Sequence, residues 1–202
     1  MKSIWHRWRK KRSAVGEEIT ALARLSFEMS RVDRILGQKT LQNAAACSPQ
    51  AAAYLTDCLA LEYGKEISVD SEIDLLQRYV QLWQSADENM HITFSTQNEG
   101  QGLNISPCIL FPLLQNALQA TYFISEQRPI KCRIRVISNL LTLEISNRVN
   151  PYLENQSETE LMRWFRARLQ YEYPEQHDLI INSNTNLFRA TLQLRLVPRA
   201  QG

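Results

Sequence analysis

Residues 107–118 read Pro-Cys-Ile-Leu-Phe-Pro-Leu-Leu-Gln-Asn-Ala-Leu. A polar pair, Gln115 and Asn116, interrupts a run that is otherwise apolar. A buried amide needs a partner, because leaving one unpaired costs roughly 2–7 kcal/mol. Asn116 is therefore either a ligand contact or one end of a fold-stabilising hydrogen bond. Pro107 and Pro112 suit a loop and a first helical turn, where a missing N–H costs little. Other chemistry-bearing residues offer less. His6, His91 and His177 are far apart and show no ligand spacing. Cys47, Cys58, Cys108 and Cys132 form no close-set pair, so they read as small hydrophobes of a reducing compartment. No Ser, His and Asp set has triad or nucleophile-elbow spacing, which excludes a hydrolase. Arg163, Arg166 and Arg168 cluster on one helical stretch; a solvated face is expected, with an acidic partner as the alternative. Trp164 beside them is a core residue or a protein contact.

The charge is unevenly spread. Lys2, Arg7, Arg9, Lys10, Lys11 and Arg12 fall in the first twelve residues, with Trp5 and Trp8 among them and no acid. Six of the 23 basic residues lie there, so the rest carries 17 against 21 acidic ones. That tail is either a solvated terminus or a contact with anionic lipid, where each cation adds roughly 1 kcal/mol. The body offers no second basic stripe, so nucleic acid is not expected. The tail lacks the apolar stretch of a secretory signal, and no run of about 18 apolar residues is present. A cytoplasmic protein is expected, with peripheral contact at the inner face of the membrane as the tail's alternative.

These groups must be positioned by elements of two periods. From about Val15 to Ala46 the pattern is helical, and Leu22, Leu25, Met29, Val32 and Leu36 form one apolar stripe. Such a stripe predicts a homodimer seam. Ser48-Pro49 starts a second helix to about Tyr63, with Gly64 as its stop. A third runs from Asp70 to about Ala86. The period then changes: residues 91–95 alternate as a strand, and 107–123 form the next helix. Residues 130–136 and 141–145 alternate strictly and predict a hairpin with one covered face. A helix over 157–173, stopped by Pro174, and strands at 179–181 and 190–196 complete the chain. That order predicts an α+β fold: an N-terminal helical hairpin, then an α/β sandwich with helices on one face of a mixed sheet.

The stretch 107–118 resembles the N-box helix of sensor histidine kinases of the autolysin-sensor (LytS-type) family, Pro-Pro-x-Leu-Leu-Gln-Pro-Leu-Val-Glu-Asn-Ala-Ile-Lys-His-Gly. Residues 52–63 resemble that family's second hairpin helix. Residues 67–82 resemble its linker, Val-x-Leu-x-x-Glu-Ile-x-x-x-x-x-Tyr-Ile-x-Leu, and 166–174 its Arg-x-Arg-Leu-x-Leu-Leu-Tyr-Pro segment. The resemblance covers about residues 50–197. With the basic tail, set apart by its charge, over 1–13, it implies a dimerising helical hairpin over 14–66 and a GHKL (Bergerat-type) ATPase-like domain over 67–202. It also implies magnesium-ATP as the family's cofactor, with Asn116 at the metal-holding position and Asn147 where the family's adenine-reading Asp stands.

Departures from the pattern point away from that activity. The hairpin's phospho-accepting His would fall near residues 30–35, and none is there. A phosphoryl acceptor needs a nucleophilic nitrogen, and the guanidinium of Arg31 stays protonated. The N-box Glu is Gln115, and Lys-His-Gly is replaced by Gln119, Ala120 and Thr121. The glycines that bring backbone N–H groups to phosphates are missing around Asn147 and over 159–164, where Glu160 and Trp164 stand instead. The expectation is a degenerate histidine kinase-like protein with no catalytic residue and no cofactor, acting by binding. Its partners would be a second copy, a response-regulator receiver domain or an intact sensor kinase. Two alternatives remain open: a divergent ATP-binding kinase and a membrane-surface adaptor using residues 1–12.

Overall fold

The computed structural model describes residues 2–42, 48–120, 124–149, 155–184 and 186–197; within the first helix, side chains are described from Gly16 onward. Helix α1 spans Lys2–Arg31, α2 Arg34–Gln42 and α3 Pro49–Ala60. Strand β1 (Ile67–Ser68) leads into α4 (Val69–Ala86), followed by β2 (Ile92–Asn98), β3 (Asn104–Ile105) and α5 (Phe111–Ala120). Then come the hairpin β4 (Ile130–Ile137) and β5 (Leu140–Arg148), α6 (Glu160–Glu172), β6 (His177–Ser183) and β7 (Leu187–Arg195). The larger sheet has the order β2-β4-β5-β7-β6, with β2 parallel to β4 and the other pairs antiparallel. The fold is α+β with a mixed sheet, as its alternating strands predict.

Alternation decides which face of the sheet is covered. Ile130, Cys132, Ile134 and Val136 of β4, Leu141, Leu143 and Ile145 of β5, and Phe188, Ala190, Leu192 and Leu194 of β7 are buried. Against them lie α5, over β4 and β5, and α4, over β2. Met162, Phe165 and Leu169 of α6 join the same core. Lys131, Arg133, Ser146 and Arg189 point the other way, as period two requires.

The helical first third differs from the sequence expectation. The helix expected from Val15 to Ala46 breaks at Val32-Asp33. Asp33 caps α2, its Oδ1 accepting from the N–H groups of Ile35 (2.8 Å) and Leu36 (3.2 Å). An Asp that captures two free N–H groups starts a new helix more readily than it continues an old one. α1 also does not stand apart as half of a free hairpin: it packs along α6 and against α5 of the same chain. Ala23, Ser26, Phe27 and Ser30 form its buried face. Phe27 is the anchor, with the Tyr63 ring centroid 5.6 Å away and the Arg168 guanidinium 5.4 Å from its own centroid. Leu36, read as part of the seam, is 4% exposed and belongs to this chain's core. Leu22, Met29 and Val32 are half-buried, and Leu25 is exposed. α1 starts at Lys2 and so runs through the basic segment. The side chains of Trp5, Arg7, Trp8, Arg9, Lys10, Lys11 and Arg12 lie outside the described residues.

Candidate functional site

The approach to α5 is held by two buried charges. Residues 107–110 turn into the helix with Cys108 at φ 57. The Glu72 carboxylate accepts from the N–H groups of Cys108 (2.8 Å) and Leu110 (3.0 Å). The Arg168 guanidinium donates to the carbonyls of Pro107 (2.7 Å) and Cys108 (3.2 Å), and to Glu172 at 3.0 Å. Burial pushes the Glu72 carboxyl up to about 7; its backbone hydrogen bonds and Arg168 pull the other way. Arg168 is fully buried, so the expectation of a solvated arginine face fails there. Only a guanidinium reaches two carbonyls and a carboxylate at once from one position. Arg163 and Arg166 are exposed, and Trp164 is half-buried.

Beyond this clamp, Gln115 and Asn116 are both buried on α5, at 2% and 1% exposure. The Gln115 amide donates to the Ser30 carbonyl at 3.2 Å, at the end of α1. A carboxylate could not make this bond, since it would set lone pairs against a carbonyl. The amide is therefore explained by where α1 ends.

Asn116 and Asn147 are brought together, and a third amide joins them. The Asn116 amide donates to the Gln156 carbonyl (2.9 Å), and its Oδ1 accepts from the Thr159 hydroxyl (2.9 Å). Thr159 is also the N-cap of α6, accepting from the Met162 N–H at 3.3 Å. Gln156 and Asn147 form a reciprocal pair: Nε2 of Gln156 donates to Oδ1 of Asn147 at 3.0 Å, and Nδ2 of Asn147 donates back at 3.2 Å. Nε2 of Gln156 also lies 3.4 Å from the Asn116 carbonyl. Asn147 and Gln156 are 2% and 1% exposed. Four polar side chains from α5, β5 and the loop entering α6 thus satisfy one another in a closed cluster. Gln156 and Thr159 were missed as cluster members in the sequence. The available signal was the run of polar residues 155–159, whose entry into the interior cannot be read from composition.

No protein-family model matches the chain, and no curated protein matches it. Several solved structures are similar in fold. The catalytic domain of the histidine kinase ThkA is 18% identical, with 68% of this chain and 98% of that one covered at a TM-score of 0.49. The kinase domain of a blue-light-activated histidine kinase from Erythrobacter litoralis is 15% identical, covering 89% and 94% at 0.46. The Acinetobacter baumannii histidine kinase AdeS is 9% identical, covering 73% and 74% at 0.45. These structural neighbours are histidine kinase domains. At such identities and scores the chemistry of the site rests on this chain's own residues.

Those residues are largely spent. The Ser30 hydroxyl donates to the Ser26 carbonyl at 2.7 Å, and Asp33 accepts from Tyr79 as well as capping α2. Arg31 donates to the Leu61 carbonyl at 3.1 Å. Burial, then the Asp33 charge, holds the Tyr79 hydroxyl well above the usual phenol range. Burial also pushes the Cys58 thiol up to about 11 and raises Cys108 and Cys132, so none of the three is a ready thiolate at neutral pH. His177 donates from Nδ1 to the Tyr173 carbonyl at 2.7 Å. Among the described residues no group of three His, Cys, Asp or Glu is placed to hold a metal, and no helix is long and apolar enough to cross a membrane.

Proposed function

We propose that this chain is a degenerate histidine kinase-like protein whose nucleotide site is filled by its own Gln156, and that it acts in two-component-type signalling by dimerisation and protein binding. The observation that carries this reading is the reciprocal amide pair between Gln156 and Asn147. Adenine presents an amino donor beside a ring-nitrogen acceptor. A glutamine amide presents an amino donor beside a carbonyl acceptor. Gln156 therefore offers Asn147 the same edge that the resemblance assigns there to adenine. The metal-holding position fits its role no better. The oxygen of Asn116, the one atom of its amide that could meet magnesium, already accepts from Thr159, and its nitrogen ties the side chain to the Gln156 carbonyl. The replacement of the N-box carboxylate by Gln115, bound to Ser30, agrees with the same reading.

Binding needs a surface, and the helical third supplies one. Leu25 (38%), Ile35 (42%), Leu41 (81%), Leu55 (39%) and Leu59 (59%) are exposed on α1, α2 and α3. In this reading these exposed apolar side chains are the association surface. A second copy, an intact sensor kinase or a receiver domain are the partners in this reading.

The test is incubation of the purified chain with magnesium and γ-labelled ATP, with light scattering on the same sample. No label on the protein, and a mass of two chains, are expected. Phosphoryl label held on a histidine would overturn the reading.

A further inference from the structure

The sheet face turned away from the helices carries a cluster of cations, and the acid at its edge, Glu144, is paired with Arg135. Lys131 of β4, Ser146 of β5 and Arg189 of β7 stand in register across three strands. Lys131 and Arg189 are therefore two strand spacings apart, roughly 10 Å, with the Ser146 hydroxyl between them. Arg148 shares that face two residues along β5, and Arg128 enters from the turn before β4. These five residues line an open cleft of about 440 Å³ with no carboxylate among the described residues. A second hollow of about 340 Å³ continues from it through Lys131, Ser146 and Arg189 and adds the hydroxyls of Thr93 and Ser95; Glu144 lies at this end.

Ion pairs hold several cations elsewhere, though among the described residues Arg24, Arg34, Arg133, Arg166 and Arg195 stand without one, and of these only Arg133 borders either hollow. Arg31, Arg78, Arg135 and Arg168 all form ion pairs. Among the described residues Arg128, Lys131, Arg148 and Arg189 form none. Four like charges around one concavity repel each other, and an anion seated among them relieves that repulsion. The chemistry of the lining selects among anions. Among the described residues no aromatic ring lines either hollow, so a single-stranded nucleic acid finds no platform for its bases there. Among the described residues Pro129 and Leu187 are the only apolar side chains of the main cleft, too little to anchor a peptide. Guanidinium, ammonium and hydroxyl donors around a shallow seat match phosphoryl oxygens.

We propose that this cleft binds a soluble oligophosphate, with one phosphoryl group over Ser146 between Lys131 and Arg189 and the next between Arg128 and Arg148. The two phosphoryl seats use other side chains than the amide cluster: Ser146 and Asn147 alternate across β5, and Asn147, which also borders the cleft, turns its amide to Gln156. Calorimetric titration of the full chain with inorganic tripolyphosphate at low salt tests it. The comparison is between wild type, the Lys131→Met/Arg189→Met double variant and an Arg24→Met control. Both strand positions are exposed, so the double variant is expected to melt like wild type. Wild type and control bind, and the double variant loses about tenfold or more in affinity, as the loss of two charge-assisted contacts requires. Absence of binding, or equal binding by the double variant, overturns the proposal. So does binding confined to anionic phospholipid vesicles with none to free tripolyphosphate.

Discussion

Replacing Gln156 by alanine removes the group around which the buried cluster is organised. Two side-chain hydrogen bonds to Asn147, at 3.0 and 3.2 Å, disappear together with the longer contact to the Asn116 carbonyl. The bond from Asn116 to the residue 156 carbonyl survives, because it belongs to the main chain. Each lost bond contributes about 1 kcal/mol net, and the orphaned Oδ1 of Asn147 adds about 1–3 kcal/mol. A water entering the vacated space would find Asn147 and the Asn116 carbonyl as partners and recover part of this. The net loss is about 2–4 kcal/mol. At about 2–4 °C per kcal/mol for a chain of this size, the melting midpoint falls by roughly 4–16 °C. Gln156→Glu sharpens the test, since it keeps the shape and changes only the chemistry. A carboxylate there accepts from Asn147 but faces two other oxygens, and burial raises its pKa. Its folded-state pKa lies above its unfolded one, so the stability of this variant is lost as pH rises through the interval between them. Denaturant melts of the three proteins at about pH 5 and pH 8 provide the assay. Alanine and glutamate variants within about 0.5 kcal/mol of wild type at both pH values would refute the role given to Gln156.

Three further outcomes follow from the same contacts. Gln115→Glu restores the carboxylate of the N box but places it against the Ser30 carbonyl; it should destabilise by about 2–4 kcal/mol and confer no phosphoryl transfer, measured by melting and by label incorporation. Arg168→Lys keeps the charge but cannot reach Pro107, Cys108 and Glu172 together; a loss of about 2 kcal/mol or more in chemical denaturation is expected, and a neutral result would deny the clamp. Glu72 has a folded-state pKa near 7 against an ordinary 4.5, so the native state binds the extra proton between those values and stability falls as pH rises across that window. Glu72→Gln should flatten that slope, and an unchanged slope in the variant would assign it to another group.

Much of the fold is legible in the sequence for a physical reason. Strict alternation over 130–136 and 141–145 allows only one face of each strand to be apolar, so the hairpin and its covered face follow. Ser48-Pro49 and Pro107 mark their boundaries because proline leaves few backbone choices. The break at Asp33 was not legible, because an Asp inside an apolar stripe becomes a cap only when the chain turns there. The packing partner of α1 was equally hidden: Ala23, Phe27 and Ser30 bury against α6, whereas the more conspicuous leucine stripe lies partly toward solvent. At the site, Asn116 stands out by its type on an apolar helix and Asn147 by the resemblance alone, and both bond to Gln156. Their partner Gln156 does not stand out, since nothing local distinguishes an amide that plugs a core from one that points to water.

Side-chain amide resonances report most directly on whether the buried cluster is closed to nucleotide. Spectra of labelled protein should be recorded with and without millimolar magnesium-ATP, following the Nδ2 group of Asn116 and the Nε2 group of Gln156. Both pairs of signals should stay in place, even if amides on the basic sheet face near Lys131 and Arg189 move. A saturable shift of the Asn116 and Gln156 signals would mean that nucleotide enters where Gln156 sits, and would contradict a site filled from within.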